Sequence, residues 1–248
     1  MRTLTALLFF PLLLASCESK GDQKGRFPPA DRPVAKIVAD RWSTEDARDR
    51  RNEADKIMDM ASIAPGMTVA DIGAGEGYYT IRLAARVGSK GRVLAQDIVP
   101  AVRDKLAERA NRERLDNVSV RLGAPDNPKL PHGSFDRVLM VHMYHEIAAP
   151  YAFLWHLHPA LKPGGRVIIV DDDRPTEAHG TPPLLLQCEL AAVGFRLVEF
   201  REAAFAGGYF AAFEADQPRP APHAIKPCTL SRSPQKPSAA SGSKAHRA

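Results

Sequence analysis

The fold of this chain is decided by the stretch Val69-Ala70-Asp71-Ile72-Gly73-Ala74-Gly75-Glu76-Gly77-Tyr78-Tyr79-Thr80. Its apolar beginning predicts a short buried strand, and the apolar residues that follow it, Ile81 and Leu83, predict a helix. Three glycines at alternate positions separate the two elements. Glycine adopts positive φ angles without strain and lets a ligand approach the main chain closely. We therefore expect a strand, a sharp turn and a helix that together bind a ligand.

Two kinds of ligand suit such a turn: a dinucleotide, whose pyrophosphate would lie on the helix N-terminus, and S-adenosylmethionine. The carboxylates of Asp71 and Glu76 would repel a pyrophosphate but attract the ammonium and sulfonium groups of S-adenosylmethionine. The glycines also give G-x-G-x-G and not the dinucleotide pattern G-x-G-x-x-G. The stretch therefore resembles motif I of the class I S-adenosylmethionine-dependent methyltransferases. From this stretch alone, a glycine turn in another α/β protein is the alternative.

Three later features resemble the same family in the expected order. The segment 92–97 predicts a second strand ending at Asp97, and the resemblance implies that this carboxylate binds the ribose hydroxyls while Ile98 lies beside the adenine. The run L-P-x-x-S-F-D at 130–136 leads into an apolar fourth strand. The run L-K-P-G-G at 161–165 predicts a tight turn into the fifth strand. With the glycine motif, these resemblances cover residues 43–215.

The resemblance implies an α/β fold with three layers: a doubly wound, mostly parallel sheet of seven strands with an antiparallel last strand, covered by helices on both faces. It also implies a set of residues that bind S-adenosylmethionine: Asp71, Gly73, Gly75, Gly77, Asp97, Ile98, Ala124 and Asp126. The last two are alternatives for the adenine ring, because the family's usual Gly-Asp pair is Gly-Ala at 123–124. Either the Asp126 side chain or the backbone N–H of Ala124 would then contact the ring.

The densest group of titratable side chains, His142, His145 and Glu146, follows the fourth strand. On a helical turn these residues would share one face. They are our candidate catalytic residues, with His145 or Glu146 taking a proton from an oxygen or nitrogen nucleophile. A metal site that includes His156 and His158 is a second interpretation, and positioning of the cofactor or capping of a helix is a third. The spacing H-x-x-H-E does not match the zinc pattern H-E-x-x-H, so no metal is predicted.

The N-terminus resembles a bacterial lipoprotein signal. Arg2 is followed by an apolar run at 4–14 that is too short to span a bilayer comfortably, and then by Leu14-Ala15-Ser16-Cys17, which resembles a lipobox. The resemblance implies a lipid anchor on Cys17 and a place on the periplasmic side of the cell envelope. An ordinary signal peptide, or a wrongly assigned start upstream of a cytoplasmic enzyme, is the alternative.

The composition and the two resemblances together predict four regions. The resemblances imply the signal at 1–17 and the methyltransferase domain at 41–215, and the composition predicts a tether at 18–40 and a disordered, basic, Pro- and Ser-rich tail at 216–248. The net charge of +5 is carried by the tail, which holds six basic residues and one acidic residue. The rest of the chain is neutral, which argues against a nucleic-acid partner. Because Cys228 lies in the tail, we do not expect a disulfide with Cys188.

A helix is predicted at 43–62, and Arg41, Trp42 and Arg48 are candidates for a lid over the ligand. The predicted function is transfer of a methyl group from S-adenosylmethionine to a small-molecule acceptor. An envelope-anchored binding module without catalysis and, less favoured, an NAD-dependent oxidoreductase are the alternatives. The sequence predicts neither the identity of the acceptor nor the oligomeric state.

Overall fold

The computed structural model describes residues 27–37 and 44–229. Their central feature is one sheet of seven strands in the order β3-β2-β1-β4-β5-β7-β6. The strands are β1 (Thr68–Ile72), β2 (Arg92–Asp97), β3 (Val118–Leu122), β4 (Phe135–Val141), β5 (Leu161–Asp171), β6 (Arg196–Ala203) and β7 (Gly208–Glu214). The helices are α1 (Glu45–Asp49), α2 (Glu53–Met60), α3 (Tyr78–Val87), α4 (Pro100–Arg112), α5 (Pro150–Leu157) and α6 (Pro183–Ala191).

The pairing of the strands confirms the predicted fold class. The pairs from β3 to β5 are parallel, and β7 runs antiparallel to both of its neighbours. The order of the strands reverses between β1 and β4, which leaves a crevice outside their carboxyl ends. In doubly wound sheets this crevice is where ligands bind.

Alternate residues of the central strands pack on opposite faces of the sheet. Val138 and Ile169 belong to a core with residues of α5 and α6. Leu139 and Ile168 face the other way and pack with residues of α2 and α3. Because both faces are buried, the strands read as nearly continuous apolar runs in the sequence.

The single helix predicted at 43–62 is wrong. The chain forms two helices, α1 and α2, which Asn52 separates with a left-handed backbone conformation (φ 50°). Asparagine tolerates this conformation better than other residues with a Cβ atom. The fifth strand also differs, because it begins at Leu161 and includes the predicted turn as an irregular start.

Residues 27–37 are folded against the domain, although the composition predicts a tether there. Arg32 is buried, and its Nε lies 2.8 Å from Glu189 Oε1 of α6. Tyr144 donates its hydroxyl to the other oxygen of Glu189 at 2.7 Å. A buried pair of charges with these hydrogen bonds fixes the segment, since removing one partner would leave the other charge uncompensated.

The structure also corrects the prediction that the disordered tail begins at 216. In the segment 216–229, Arg219 stacks on Trp155 of α5, and the indole nitrogen of Trp155 donates to Pro220 O at 3.0 Å. Cys228 forms a disulfide with Cys188 of α6, which we did not expect. Proline-rich composition did not reveal these contacts because they are made to a distant part of the chain.

Within the described ranges, none of the helices is long and apolar enough to cross a bilayer. The predictions for the signal and lipobox at 1–17, for Arg41 and Trp42, and for the tail from 230 onward fall on residues outside those ranges.

Candidate active site

A cavity of about 590 Å³ opens at the carboxyl ends of β1, β2 and β4. Cavities of this size hold small-molecule ligands and cofactors. One half is lined by the glycine turn and the end of β2, and the other by α1 and the segment after β4. The lining residues used below are Arg48, Asp71, Gly73, Gly75, Gln96, Asp97, Ile98, Ala124, Pro125, His142 and Glu146.

The glycine turn is held by backbone hydrogen bonds, with the N–H groups of Gly73 and Ala74 donating to Gln96 O at 2.9 and 3.0 Å. Gly75 has φ +55°, and a Cβ atom added there would meet no described atom within 4 Å. The turn therefore presents bare main chain to the open cavity. Gly77 has φ +92° and starts α3, where an added Cβ would lie only 2.4 Å from a methyl group of Leu106. All three predicted glycines thus shape this wall.

Asp97 is fixed at the end of β2. Its Oδ2 accepts a hydrogen bond from Gly75 N at 3.1 Å, and its Oδ1 accepts one from Val99 N at 2.9 Å. These bonds leave further lone pairs on both oxygens. Asp97 lines the cavity, so its carboxylate is placed to accept two vicinal hydroxyl groups, as predicted for ribose.

Asp71 lies beneath the glycine turn and is only 3% exposed. Burial raises the pKa of its carboxyl group to about 6, although the hydrogen bond from Thr80 Oγ1 at 2.6 Å opposes this shift. A buried carboxylate is poorly solvated, so a nearby cation strongly stabilises its ionised form. The site therefore favours a positively charged group beside the turn.

The adenine end differs from the prediction. Ile98, Ala124 and Pro125 line the cavity, but Asp126 is exposed and does not. The backbone N–H of Ala124 donates to Asn127 O at 2.9 Å, so it is not directed at a ligand. The structure supports neither of the two polar contacts predicted here, and it leaves apolar surface for a flat ring.

The sequence did not predict that Gln96 belongs to the site. It is buried, it lines the cavity, and its Nε2 makes no hydrogen bond within the described part of the chain. A Cβ at Gly123 would collide with this amide at 1.4 Å, so Gly123 makes room for it. A polar residue inside an apolar strand, next to Asp97, was the signal that could have indicated it.

The three candidate catalytic residues do not share a helical face. His142 has a left-handed backbone (φ 54°) at the end of β4, and His145 and Glu146 belong to a short 3-10 turn, Tyr144–Glu146. His142 and Glu146 line the cavity, whereas His145 is fully buried behind it, with Nδ1 2.9 Å from Asp171 Oδ1. The structure thus brings two of the three to the cavity.

His142 is held by its ring nitrogen Nε2, which lies 2.7 Å from Ala206 O. Burial lowers the pKa of His142, and the negative charge of Asp171 only partly opposes this effect. The imidazole is therefore neutral at pH 7. His156 and His158, the other members of the metal interpretation, contact the backbone oxygens of Ala152 and Gln217 instead.

Residues of α1 form part of the cavity wall. Arg48 stacks on Tyr78 at 3.8 Å and donates to the buried carboxylate of Glu53 at 2.6 and 2.9 Å. Arg109 of α4 holds Glu45 at the start of α1 through two hydrogen bonds of 2.6 and 3.2 Å. Of the predicted lid residues, Arg48 does reach the cavity.

Known proteins resemble this part of the chain. Residues 69–165 match a family model described as a methyltransferase domain. Nocamycin O-methyltransferase from Saccharothrix syringae is 38% identical over 124 residues, which are 47% of this chain and 42% of that protein. Aklanonic acid methyltransferase DauC from Streptomyces sp. (strain C5) is 31% identical over 52% of this chain and 58% of that protein. The chain thus spans about half the length of these two relatives.

The solved structures show the same architecture. A SAM-dependent methyltransferase from Aquifex aeolicus has a TM-score of 0.59 and 24% identity, over 69% of this chain and 97% of that one. The [4+2]-cyclase SpnF has a TM-score of 0.54 and 17% identity, over 69% and 65%. The fold is therefore the Rossmann-like methyltransferase fold. Because a cyclase shares it, the function has to be argued from the site.

Proposed function

We propose that this protein transfers the methyl group of S-adenosylmethionine to a small-molecule acceptor. The observation that carries this proposal is the pair of carboxylates in one cavity: Asp97, fixed at a strand end, and Asp71, buried under a glycine turn. The first suits the ribose hydroxyls and the second suits the cationic methionine end. A dinucleotide would bring its pyrophosphate to the same turn, where the Asp71 carboxylate opposes it.

The bound cofactor supplies a methyl group that is already activated by the sulfonium charge, so the protein mainly has to align the acceptor and exclude water. Arg48 and α1 form part of the wall that would surround the acceptor. His142, neutral at pH 7, and Glu146 reach the far half of the cavity. Either can accept a proton if the acceptor is a hydroxyl or an amine.

The residues of the acceptor half of the cavity indicate the chemical class of the acceptor. Its wall includes Val141, Met143, Ile147 and Phe153. Apolar side chains with a few polar groups are typical of pockets for small organic molecules. The relatives named above are methyltransferases of nocamycin and of aklanonic acid, and the neutral charge of the domain argues against a nucleic acid. We expect a partly apolar acceptor with a hydroxyl, carboxyl or activated carbon.

Calorimetric titration of the purified protein with S-adenosylmethionine and, separately, with NAD tests the cofactor. We expect binding of the first alone. A protein that binds NAD and not S-adenosylmethionine would be the oxidoreductase of the alternative prediction, and one that binds neither would contradict the proposal.

Transfer itself is tested with a methyl-labelled cofactor and a panel of phenols, quinols and carboxylic acids. Release of S-adenosylhomocysteine together with label in one acceptor class is the expected result. Binding without transfer across the panel would favour the envelope-anchored binding module.

We also propose that the protein is anchored in the cell envelope by a lipid on Cys17. The disulfide between Cys188 and Cys228 supports an oxidising compartment, because such bonds rarely persist in the cytoplasm. We expect the wild-type protein in the membrane fraction with its disulfide intact, and a Cys17→Ser variant in the soluble fraction. Reduced cysteines in protein taken directly from cells, or unchanged membrane association of the variant, would contradict the anchor.

A further inference from the structure

The side chains of His145, Glu146 and His179 converge behind the acceptor half of the cavity. Each offers one ligand atom, and these atoms all lie within 4.8 Å of one another. We propose that they bind a divalent transition-metal ion of the zinc type. Two imidazoles and one carboxylate form a donor set that zinc prefers, whereas magnesium and calcium prefer oxygen ligands alone.

The orientation of His145 supports a ligand role. Its Nδ1 lies 2.9 Å from Asp171 Oδ1, and Asp171 is fixed in turn by the Thr181 hydroxyl at 2.7 Å and by the backbone N–H of Asp172 at 2.9 Å. This arrangement leaves Nε2 as the ligating nitrogen of His145. A carboxylate on the remote nitrogen of a ligating histidine is the usual support of such a ligand, because it fixes the tautomer and the ring.

His179 comes from a different loop, which follows β5, and that loop is held in place. Thr176 donates its hydroxyl to Pro33 O at 2.7 Å, and Thr181 N donates to Asp172 O at 2.8 Å. His179 itself has φ 58° and lies edge-on to the ring of His145, with 5.4 Å between centroids. The loop therefore holds a histidine in an unfavourable backbone conformation beside the other two groups.

The distances suit closure around an ion. Metal–nitrogen and metal–oxygen bonds of about 2.0 Å place tetrahedral ligands about 3.3 Å apart. The present separations of up to 4.8 Å therefore close by at most about 1.5 Å, which side-chain rotation can supply. Three protein ligands leave the fourth position open, as in catalytic zinc sites.

The open position has a chemical consequence, which rests on the proposed methyl transfer. Glu146 lines the cavity, so an ion bound to it lies at the wall of the acceptor half. There it would bind an acceptor oxygen and favour its deprotonated form. Glu146 is then a ligand, and His142 is the proton acceptor of the protein.

The test uses the full chain with Cys17→Ser and no histidine tag. After zinc loading and dialysis, we expect one zinc per chain by mass spectrometry, and a cobalt-loaded sample with the absorption spectrum of a four-coordinate ion. His179→Asn, which tolerates the left-handed backbone, and Glu146→Gln should each weaken zinc binding in calorimetry by at least about tenfold. His132→Asn, in an exposed loop, is the matched control and should bind zinc normally.

The proposal is overturned if the protein binds no zinc, or if both ligand variants bind it as the control does. Circular dichroism identifies a variant that is unfolded, and the other ligand variant then decides. Titration of the same samples with S-adenosylmethionine separates the two proposals. Normal cofactor binding without zinc would reject only the metal, and zinc binding without cofactor binding would reject only the methyltransferase.

Discussion

The two halves of the cavity are built in different ways. The cofactor wall, defined as the glycine turn with Asp71, Gln96, Asp97 and Ile98, comes from one continuous strand-helix-strand segment. The acceptor wall, defined as Arg48, His142 and Glu146 with their neighbours, is assembled from α1 and the segment after β4. A wall that is formed by one continuous segment can therefore be predicted from a sequence motif, whereas a wall that is formed by packing of distant segments cannot.

Two buried aspartates at strand ends show the same contrast. Asp71 in the cofactor wall receives a side-chain hydrogen bond from Thr80, and burial raises its pKa to about 6. Asp171, behind the acceptor wall, is surrounded by His145, Thr181 and the N–H of Asp172. The Asp71 carboxylate can therefore interact with a cation in the cavity, whereas the Asp171 carboxylate binds neighbouring protein groups.

The largest expected effect on cofactor binding comes from a substitution in the glycine turn of the cofactor wall. Gly75→Val should abolish measurable binding of S-adenosylmethionine, because φ +55° is unfavourable for a β-branched residue and the new side chain would enter the cavity. Gly88→Val is the matched control, with φ +67° and open space but no place in the cavity lining. Because Gly88 also has ψ −173°, a conformation that is essentially restricted to glycine, the change should lower stability by about 1–3 kcal/mol without changing cofactor affinity. Equal affinity in both variants would refute the role of the turn.

Asp97→Ala should weaken binding of S-adenosylmethionine about 100-fold. Two charge-assisted hydrogen bonds to the ribose are together worth about 3 kcal/mol. Asp126→Ala is the control, because the exposed Asp126 lies outside the cavity. Calorimetry compares the two, and a comparable loss in Asp126→Ala would restore the original sequence prediction for the adenine end.

Arg48→Ala tests the acceptor wall. It leaves the buried carboxylate of Glu53 without its main partner, so we expect a loss of about 2 kcal/mol of stability in denaturant titration. Methyl transfer should fall more than cofactor binding does, since Arg48 lines the acceptor half of the cavity. Arg51→Ala removes a more exposed partner of the same Glu53 and should cost less than about 0.5 kcal/mol. Identical losses for the two variants would argue against a special position for Arg48.

The smallest expected effect is that of pH on the affinity for S-adenosylmethionine. Because the pKa of Asp71 is raised to about 6, this group is mostly protonated at pH 5 and ionised at pH 7. A cationic ligand binds the ionised form better, so affinity for S-adenosylmethionine should rise about tenfold from pH 5 to pH 7. Titrations at several pH values measure this, and Asp71→Asn should bind weakly with a flatter profile. A steep profile in Asp71→Asn would assign the effect to another group.

How far the sequence predicted the structure depended on the distance over which each feature is formed. The glycine turn, the position of Asp97 at a strand end, and the strands at 92–97 and 135–141 were confirmed, since apolar runs and turn residues act within a few positions. The helix at 43–62 was wrong because one residue, Asn52, breaks it. The buried place of His145 was not foreseen, because Asp171 and Thr181 approach it only after β4 and β5 pair.

The same distinction applies to the ends of the domain. Composition predicted a tether and a disordered tail, yet Arg32 reaches Glu189 and Cys228 reaches Cys188. Polar and proline-rich segments show no periodicity, so their contacts with the helices of the domain leave no local signal. Contacts with α5, with α6 and with the loop after β5 decided that both segments are part of the fold.

The sequence by itself determined the sheet, its glycine turn and the positions of the carboxylates of Asp71 and Asp97, because each follows from residues that are close in the chain. The tertiary structure decided which of His142, His145 and Glu146 face the cavity, and it brought His179 to them. Side chains from separate loops meet only when the strands that carry them are paired. The acceptor half of the cavity is therefore defined by tertiary packing and not by a local motif.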